Sequence, residues 1–240
     1  MPTRPGQKAI GKPAGPADVA AVLRALEQDA SAQYRADMGP RYGIVTKAPV
    51  YGTPVAKLKP IARRLGVDHG LADALWRSGS HDARMLATMI DDPALVTPAQ
   101  MNRWAKDFDN WAIVDTACFN LFDRSPHAFG QIGKWANAKD EFVKRAAFAL
   151  LASCALHGHG SDADHRKGLA LIEGAAGDDR NFVKKGVNWA LRAIGAKGSP
   201  ELRAGARDLA GQLAASESAV ERWIGRDALR VFQKAKRQAG

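Results

Sequence analysis

Two four-residue segments of this 240-residue chain are nearly identical. Phe142-Val143-Lys144-Arg145 recurs 40 residues later as Phe182-Val183-Lys184-Lys185, and both copies continue into small and apolar residues. A period of about 40 residues is typical of stacked helical pairs, because each pair buries its apolar face against the next one. The alternative is a chance match between two amphipathic helices. We interpret the match as a structural repeat, which predicts a curved solenoid with one concave face.

The spacing of apolar residues is helical throughout, and no segment shows the strict alternation that indicates a strand. Breaking residues divide the chain into about a dozen helical segments, of which the first spans residues 18–36. Three segments are predicted to begin with an N-cap before a proline, at Thr97-Pro98, Ser125-Pro126 and Ser199-Pro200. The sequence therefore predicts an all-α fold of HEAT-like helical-pair repeats.

The amino-terminal segment differs in composition from the rest of the chain. Residues 1–16 contain four prolines, three glycines and three basic residues, without an aromatic side chain. This composition predicts a disordered basic tail over residues 1–17, followed by a single helical domain over residues 18–240. No apolar run is long enough to span a membrane, so we expect a soluble, cytoplasmic protein. Cys118 and Cys154 are expected to be reduced core residues.

The basic residues are unevenly distributed. The formal charge of +10 comes from 35 Lys and Arg against 25 Asp and Glu. Residues 134–240 contain 19 basic and 12 acidic side chains, whereas residues 18–133 contain 13 of each. Such a field favours nucleic acid, because cations on the protein release counterions from phosphates. We expect basic positions in successive repeats to line the concave face, where they can hold a duplex.

Trp111 and Asp115 are four residues apart, so a helix places both on one face. A carboxylate beside an aromatic ring suits a reaction that builds positive charge on a sugar, because both groups stabilise a cation. The alternative is a core tryptophan next to an aspartate that bonds a neighbouring helix or an arginine.

A second tryptophan, Trp189, lies between Lys185 and Arg192 on one predicted helix face. This arrangement suits contact with a phosphate backbone, and the alternative is a core tryptophan flanked by long cationic side chains. Arg145 occupies the equivalent face one repeat earlier. It can clamp a phosphate, orient Asp115 or form a purely structural ion pair.

The loop from His157 to His165 contains three histidines and two aspartates, a composition found in metal sites. Its spacing matches no zinc pattern, and glycine-rich loops between helices often collect these residues, so we predict no metal. The chain also lacks a P-loop, a GxSxG nucleophile elbow and an HExxH helix. Nucleotide hydrolysis and zinc proteolysis are therefore not expected.

The stretch from about Tyr51 to Gly195 resembles the AlkD-like family of DNA alkylation repair enzymes, which are HEAT-repeat DNA glycosylases. The motifs follow the family's order: Tyr51-Gly52 to Leu58, Leu75-Trp76-Arg77-Ser78, His81-Asp82-Ala83-Arg84, Trp111 to Asp115, Glu141-Phe142-Val143-Lys144-Arg145, and Asp179-Arg180-Asn181-Phe182-Val183-Lys184-Lys185 running to Trp189-Ala190-Leu191-Arg192 and Ile194-Gly195. The family usually has His-Glu-x-Arg at the third motif. The family also often has an acidic residue where this chain has Ala112. Because Ala112 is one residue from Trp111, it should point to another face of the helix.

The resemblance implies a glycosylase that excises positively charged N3- and N7-alkylated purines from duplex DNA. It implies that Asp115 is the catalytic carboxylate and that Trp111 and Trp189 contact the deoxyribose of the lesion. Arg145 would hold backbone phosphate. We expect further DNA contacts from Lys144, Arg180, Lys184, Lys185, Arg192, Arg84 and Tyr51. No cofactor, metal or obligatory protein partner is implied, and we expect a monomer associated with the bacterial nucleoid. The alternatives are a non-catalytic DNA-structure binder and a HEAT-type protein scaffold.

Overall fold

A computed structural model describes the backbone of residues 16–238 and the side chains of residues 19–234. Within that range the chain is all-α, as predicted, with one short 3-10 helix at Phe122–Arg124 and no strand. The α-helices are α1 (Pro16–Gln28), α2 (Ala32–Asp37), α3 (Val55–Leu65), α4 (His69–Arg77), α5 (His81–Ile90), α6 (Pro98–Ala105), α7 (Trp111–Asn120), α8 (Ala128–Trp135), α9 (Glu141–His157), α10 (Asp162–Ala175), α11 (Asn181–Lys197), α12 (Pro200–Ala215) and α13 (Ala219–Gln238). The predicted tail, residues 1–17, lies outside the described residues except for its last two, which begin α1.

The helices are arranged in two layers. Each odd-numbered helix from α3 to α13 packs against the next odd-numbered one, which makes a continuous first layer. The even-numbered helices from α4 to α12 each pack against at least one helix of this layer and lie on it as the second layer. This alternation of layers along the chain is the architecture that the helical-pair repeat predicts.

The repeated sequence marks equivalent positions in two successive helices of the first layer. Phe142 is the second residue of α9 and Phe182 is the second residue of α11, and their ring centroids lie 5.1 Å apart. Packing between α9 and α11 is the most extensive contact between helices in the described fold. Gly186 lies in this contact, and a Cβ there would be in ordinary van der Waals contact with the Arg145 carbonyl oxygen at 3.4 Å. The repeat in the sequence is therefore a repeat in the structure.

Two predicted helix boundaries are wrong. The predicted helix 18–36 is broken after Gln28, because Ser31 caps a new helix by accepting from the Tyr34 N–H at 3.1 Å. The Ser31 N–H itself donates to the Gly52 carbonyl at 2.9 Å. This bond attaches the segment between α1 and α2 to a loop that is about twenty residues away in the sequence. A sequence window cannot show this long-range bond.

The predicted helix start at Ser125-Pro126 is also wrong. The helix begins at Ala128, and the Ser125 hydroxyl accepts from the His127 N–H at 3.3 Å instead of capping a helix. Ser125 instead caps the preceding 3-10 helix, because its backbone N–H donates to the Phe122 carbonyl. The starts at Thr97 and Ser199 are confirmed, since each hydroxyl accepts from the backbone N–H three residues later.

The core is continuous along both layers and is anchored by large aromatic side chains. Trp76 and Trp104 are buried and stack with centroids 3.9 Å apart. Cys118 and Cys154 are buried and free, as predicted, and burial raises the pKa of the Cys154 thiol to about 12. No described helix is both long and apolar enough to cross a membrane.

The contact between α12 and α13 yields a prediction about stability. A Cβ on Gly225 would overlap the backbone of Ala210 and Ala214, whereas Gly211 on α12 has open space around it. Gly225→Ala should lower the free energy of unfolding by about 1–3 kcal/mol, since helices must separate to accept the methyl group. Gly211→Ala should be neutral or stabilise by up to about 1 kcal/mol through helix propensity. Urea denaturation measures both, and equal stability of the two variants would contradict the packing argument.

Candidate functional site

A cleft of about 690 Å³ opens on the layer of odd-numbered helices. Its lining residues come from α7, α9, α11 and α13, and from Tyr42 and Gly43 in the loop after α2. Six of the predicted site residues lie together there: Trp111, Asp115, Arg145, Lys185, Trp189 and Arg192. The cleft also contains residues that the sequence analysis missed: Tyr42, Asn181, Asn188, Trp223 and Asp227.

A bidentate ion pair joins α7 to α9 inside the cleft. Arg145 donates from Nε to Asp115 Oδ1 at 3.0 Å and from Nη2 to Asp115 Oδ2 at 2.7 Å. Its Nη1 donates to the Phe182 carbonyl oxygen at 2.9 Å. Two parallel charge-assisted bonds fix both the position and the rotation of the carboxylate. The guanidinium thus orients Asp115, one of the alternatives that the sequence left open.

Asp115 remains accessible from the cleft. Its side chain is 20% exposed, whereas that of Arg145 is only 7% exposed. Burial raises the pKa of the Asp115 carboxyl, and the charge and hydrogen bonds of Arg145 oppose that shift. Because an ionised carboxylate has about four acceptor sites, the pair with Arg145 leaves capacity for a cationic group in the cleft.

Trp111 is held at the start of α7 by the loop that follows α2. Its indole N–H donates to the Tyr42 carbonyl at 3.1 Å. The same loop is fixed by Asp109, whose Oδ2 accepts from the Thr46 hydroxyl and from the Lys47 N–H, each at 2.7 Å. The loop and α7 therefore form one wall of the cleft.

Ala112 does not line the cleft. It is buried in a small apolar cluster with Met38 and Ile44, against which Trp111 packs. This placement agrees with the expectation that Ala112 points to another face of α7. The small side chain thus serves contact with the amino-terminal part of the chain rather than direct contact with Asp115.

Aromatic rings and cations from α11 and α13 line the rest of the cleft. Trp189 lies half-buried on α11, and Trp223 of α13 is exposed. Lys184 Nζ lies 5.2 Å from the centroid of the Trp223 ring, a cation–π contact. Arg192 Nη1 lies 3.4 Å from Asp227 Oδ2. Two of the predicted cations are therefore already engaged by residues of α13.

Lys144 and Arg180 lie outside the cleft and share one carboxylate. Asp178 Oδ2 lies 2.9 Å from Lys144 Nζ and 2.6 Å from Arg180 Nη2. Hydrogen bonds from Arg180 and the charge of Lys144 hold the pKa of Asp178 well below its usual range. Lys185 differs, because it is exposed and no carboxylate of the described residues lies within ion-pair distance.

Arg84 and Tyr51 also lie outside the cleft. Arg84 pairs with Asp107 at 3.3 Å and lies over the Trp76 ring at 5.5 Å from its centroid. The Tyr51 N–H donates at 2.8 Å to Asp82, which also accepts from the next two backbone N–H groups. In this structure the His-Asp-x-Arg motif holds a loop in place.

A second surface continues from the cleft along α13. Three arginines, Arg222, Arg226 and Arg230, follow one another at four-residue spacing and line a depression of about 530 Å³. It shares Trp223 and Asp227 with the cleft. This spacing is the signal that could have identified α13, since residues four apart share a helix face.

Fold and site define an all-helical repeat protein with a cationic cleft lined by tryptophans. A family model described as DNA alkylation repair enzyme matches residues 20–232, and the chain belongs to this family. A solved structure described as "A new family of proteins related to the HEAT-like repeat DNA glycosylases with affinity for branched DNA structures" is similar over 88% of this chain and 94% of the other. Its TM-score is 0.73 and its sequence identity 18%, so this likeness shows the fold alone. No curated protein matches the chain in sequence.

The ion pair in the cleft yields a prediction about Asp115. An NMR titration of its carboxyl carbon should give a pKa above the ordinary aspartate value. Arg145→Met should raise that pKa further, because burial then acts without an opposing cation. Lys144→Met on the same helix is the matched control and should leave Asp115 unchanged, since Lys144 pairs with Asp178. A fall in the pKa of Asp115 in Arg145→Met would contradict this account.

Proposed function

We propose that the protein is a monofunctional DNA glycosylase that removes positively charged N3- and N7-alkylated purines from duplex DNA. The observation that carries the proposal is the oriented Asp115 carboxylate in a cleft lined also by Trp111 and Trp189. Membership of the DNA alkylation repair family supports it.

The reaction suits a site with one carboxylate and no general acid. An alkylated purine that carries a positive charge leaves as a neutral base when its N-glycosidic bond breaks, so the leaving group needs no proton. The electron deficiency passes to the sugar, which becomes oxocarbenium-like. Water then adds to the anomeric carbon and releases one proton to solvent. The barrier falls if the site stabilises the sugar cation and positions the water.

Asp115 supplies the negative charge and the tryptophans supply ring faces. An anion close to the developing cation stabilises it more strongly in a partly dehydrated cleft than in water. The faces of Trp111 and Trp189 add cation–π attraction and exclude solvent from the sugar. No metal, nucleotide or redox cofactor is needed for this hydrolysis.

Arg145 serves the same step by positioning. A guanidinium has five N–H groups, and three of them are used by Asp115 and the Phe182 carbonyl. The remaining two can contact a phosphate of the bound strand, as the family resemblance implies. Lys185 at the cleft, together with Arg222 and Arg226 of α13, extends the cationic surface for the backbone, whereas Arg192 and Arg230 both pair with Asp227. The cleft in the described part of the chain can serve one duplex without a second copy, so we expect a monomer.

Replacement of the carboxylate tests the proposal directly. Asp115→Asn should slow release of 7-methylguanine and 3-methyladenine from methylated duplex DNA by about 100-fold or more, the usual effect of removing a group that stabilises the transition state. Asp208→Asn, at an exposed position on α12, is the matched control and should be fully active. Neither protein should release uracil, because a neutral base departs poorly without protonation. Base release by Asp115→Asn at the wild-type rate would disprove the mechanism.

Substitution of an exposed lysine and of a lysine paired with a carboxylate tests which cations bind DNA. Lys185→Ala should weaken binding to damaged and undamaged duplex alike, and it should shallow the slope of log affinity against log salt by about one unit. Lys144→Ala should change that slope little, because Asp178 already neutralises Lys144. Fluorescence anisotropy at several salt concentrations measures both. Equal slopes for the two variants would contradict the assignment.

A non-catalytic binder of DNA structures is the second candidate. The observation that favours it is the likeness to a solved structure of a family with affinity for branched DNA. The presence of Asp115 in the cleft favours the enzyme instead. Tight binding to a four-way junction without release of either methylpurine by the wild-type protein would establish the binder and exclude the glycosylase.

A further inference from the structure

Three potential metal ligands converge at the end of α9 that is remote from the cleft. Asp123 lies in the 3-10 helix, His157 is the last residue of α9, and His159 lies in the loop that follows. One donor atom from each lies within 4.8 Å of the other two. Twelve residues of helix separate His157 from Arg145, or about 18 Å at 1.5 Å per residue, so this cluster is separate from the cleft.

The carboxylate of Asp123 is the centre of the cluster. Its Oδ2 forms a hydrogen bond with His157 Nδ1 and lies 3.9 Å from His159 Nε2. The side chain is completely buried, and its other oxygen, Oδ1, has no hydrogen-bond partner among the described residues. Burying a carboxylate oxygen without a partner is costly, which indicates that this group interacts with something besides the two imidazoles.

A second histidine–carboxylate pair in the same chain provides an internal comparison. His69 Nδ1 lies 2.6 Å from Asp91 Oδ1, and the exposures of His69 and Asp91, 34% and 0%, equal those of His157 and Asp123. The second oxygen of Asp91 accepts from the Gln100 amide at 2.6 Å, and no further histidine joins that pair. The Asp91 pair is thus complete within the protein, whereas the Asp123 pair adds a second imidazole and leaves an oxygen unbonded.

The loop that carries His159 is held in one conformation. Gly158 ends α9 in the left-handed region at φ 73°, and Gly160 packs against the Phe129 ring where a Cβ would overlap it. The His159 carbonyl lies 2.9 Å from His165 Nε2. These contacts position the His159 ring beside Asp123 before any ligand binds.

We propose that Asp123, His157 and His159 form a binding site for one divalent transition-metal ion, with Zn²⁺ as the best match. Two imidazoles and one carboxylate are ligands that zinc prefers, and its bonds of about 2.0–2.2 Å place neighbouring ligand atoms roughly 3.3 Å apart. The 3.9 Å separation of His159 and Asp123 is close to that spacing. Water completes the coordination on the exposed side.

The ion accepts one lone pair from each of the three ligand atoms, which requires two neutral imidazoles and an ionised carboxylate. A proton on the binding nitrogen of a neutral imidazole moves to the other ring nitrogen, so charge and protons balance without an added acid or base. The bound ion links the 3-10 helix to the loop between α9 and α10. It therefore stabilises the fold at this end of α9 and takes no part in chemistry at the cleft.

The histidine-rich loop alone predicts no metal site, because one of the three ligands lies outside it. Asp123 precedes His157 by 34 residues and belongs to a different element. Conversely, Asp162 and Asp164 of the same loop do not join the cluster. Asp164 instead completes a capping box with Ser161 at the start of α10. The spacing in the loop therefore contained no information about the third ligand.

Titration of the metal-free, tag-free protein with Zn²⁺ alone tests the site. Isothermal titration calorimetry should show one ion per chain, and zinc at about a hundred times its Kd should raise the melting temperature by roughly 5–10 °C. His159→Gln should lower the affinity at least about tenfold. The His159 side chain is 40% exposed, so the variant should fold. Co²⁺ should give visible absorption bands in the wild type that are lost in His159→Gln.

His69→Gln is the matched control and should bind zinc as the wild type does, because its pair contains no second histidine. Absence of stoichiometric zinc binding by the wild type would overturn the proposal. Unchanged affinity in both His157→Gln and His159→Gln would also overturn it, as would an equal loss in His69→Gln. Because this test measures metal binding alone, its outcome is independent of the proposed glycosylase activity.

Discussion

One guanidinium connects three successive helices of the first layer. Arg145 belongs to α9, donates two hydrogen bonds to Asp115 of α7, and donates a third to the Phe182 carbonyl in the first turn of α11. Because the group is almost fully buried, each of these bonds forms in a medium of low dielectric constant and is difficult to replace with water. The three bonds thus tie together three of the helices that line the cleft. The residue that the family resemblance implies to hold phosphate also connects the elements of the site.

Much of the fold followed from local patterns, and the exceptions have a common cause. Hydroxyl caps before proline correctly marked Thr97 and Ser199, because that bond is made within one turn of helix. The same pattern failed at Ser125, where a preceding 3-10 helix uses the residue differently. In the site, Trp111 and Asp115 could be paired from their spacing on one helix. Trp223 could not, because the packing of α13 against α11 brings it to the cleft from a separate part of the sequence.

Net charge gives an incomplete description of the surface of the second half of the chain. The excess of basic residues after position 134 is real, yet Lys144 and Arg180 neutralise Asp178 rather than face the cleft. A charge count treats these side chains and Lys185 as equivalent. The fold separates them, because a partner more than thirty residues away decides which ammonium group remains available to an anion. Only the exposed fraction of the cations contributes directly to counterion release.

The hydrogen bond that holds Trp111 limits which features of a ligand this wall of the cleft can recognise. Its indole N–H, the only hydrogen-bond donor of the side chain, is already used by the Tyr42 carbonyl. A ligand in the cleft can therefore contact only the ring face of Trp111. This face attracts positive charge and apolar surface but offers no pattern of hydrogen-bond donors and acceptors. Trp111 therefore selects a ligand by its positive charge and its planar apolar surface. It cannot distinguish two ligands that differ only in the arrangement of hydrogen-bonding atoms along their edges.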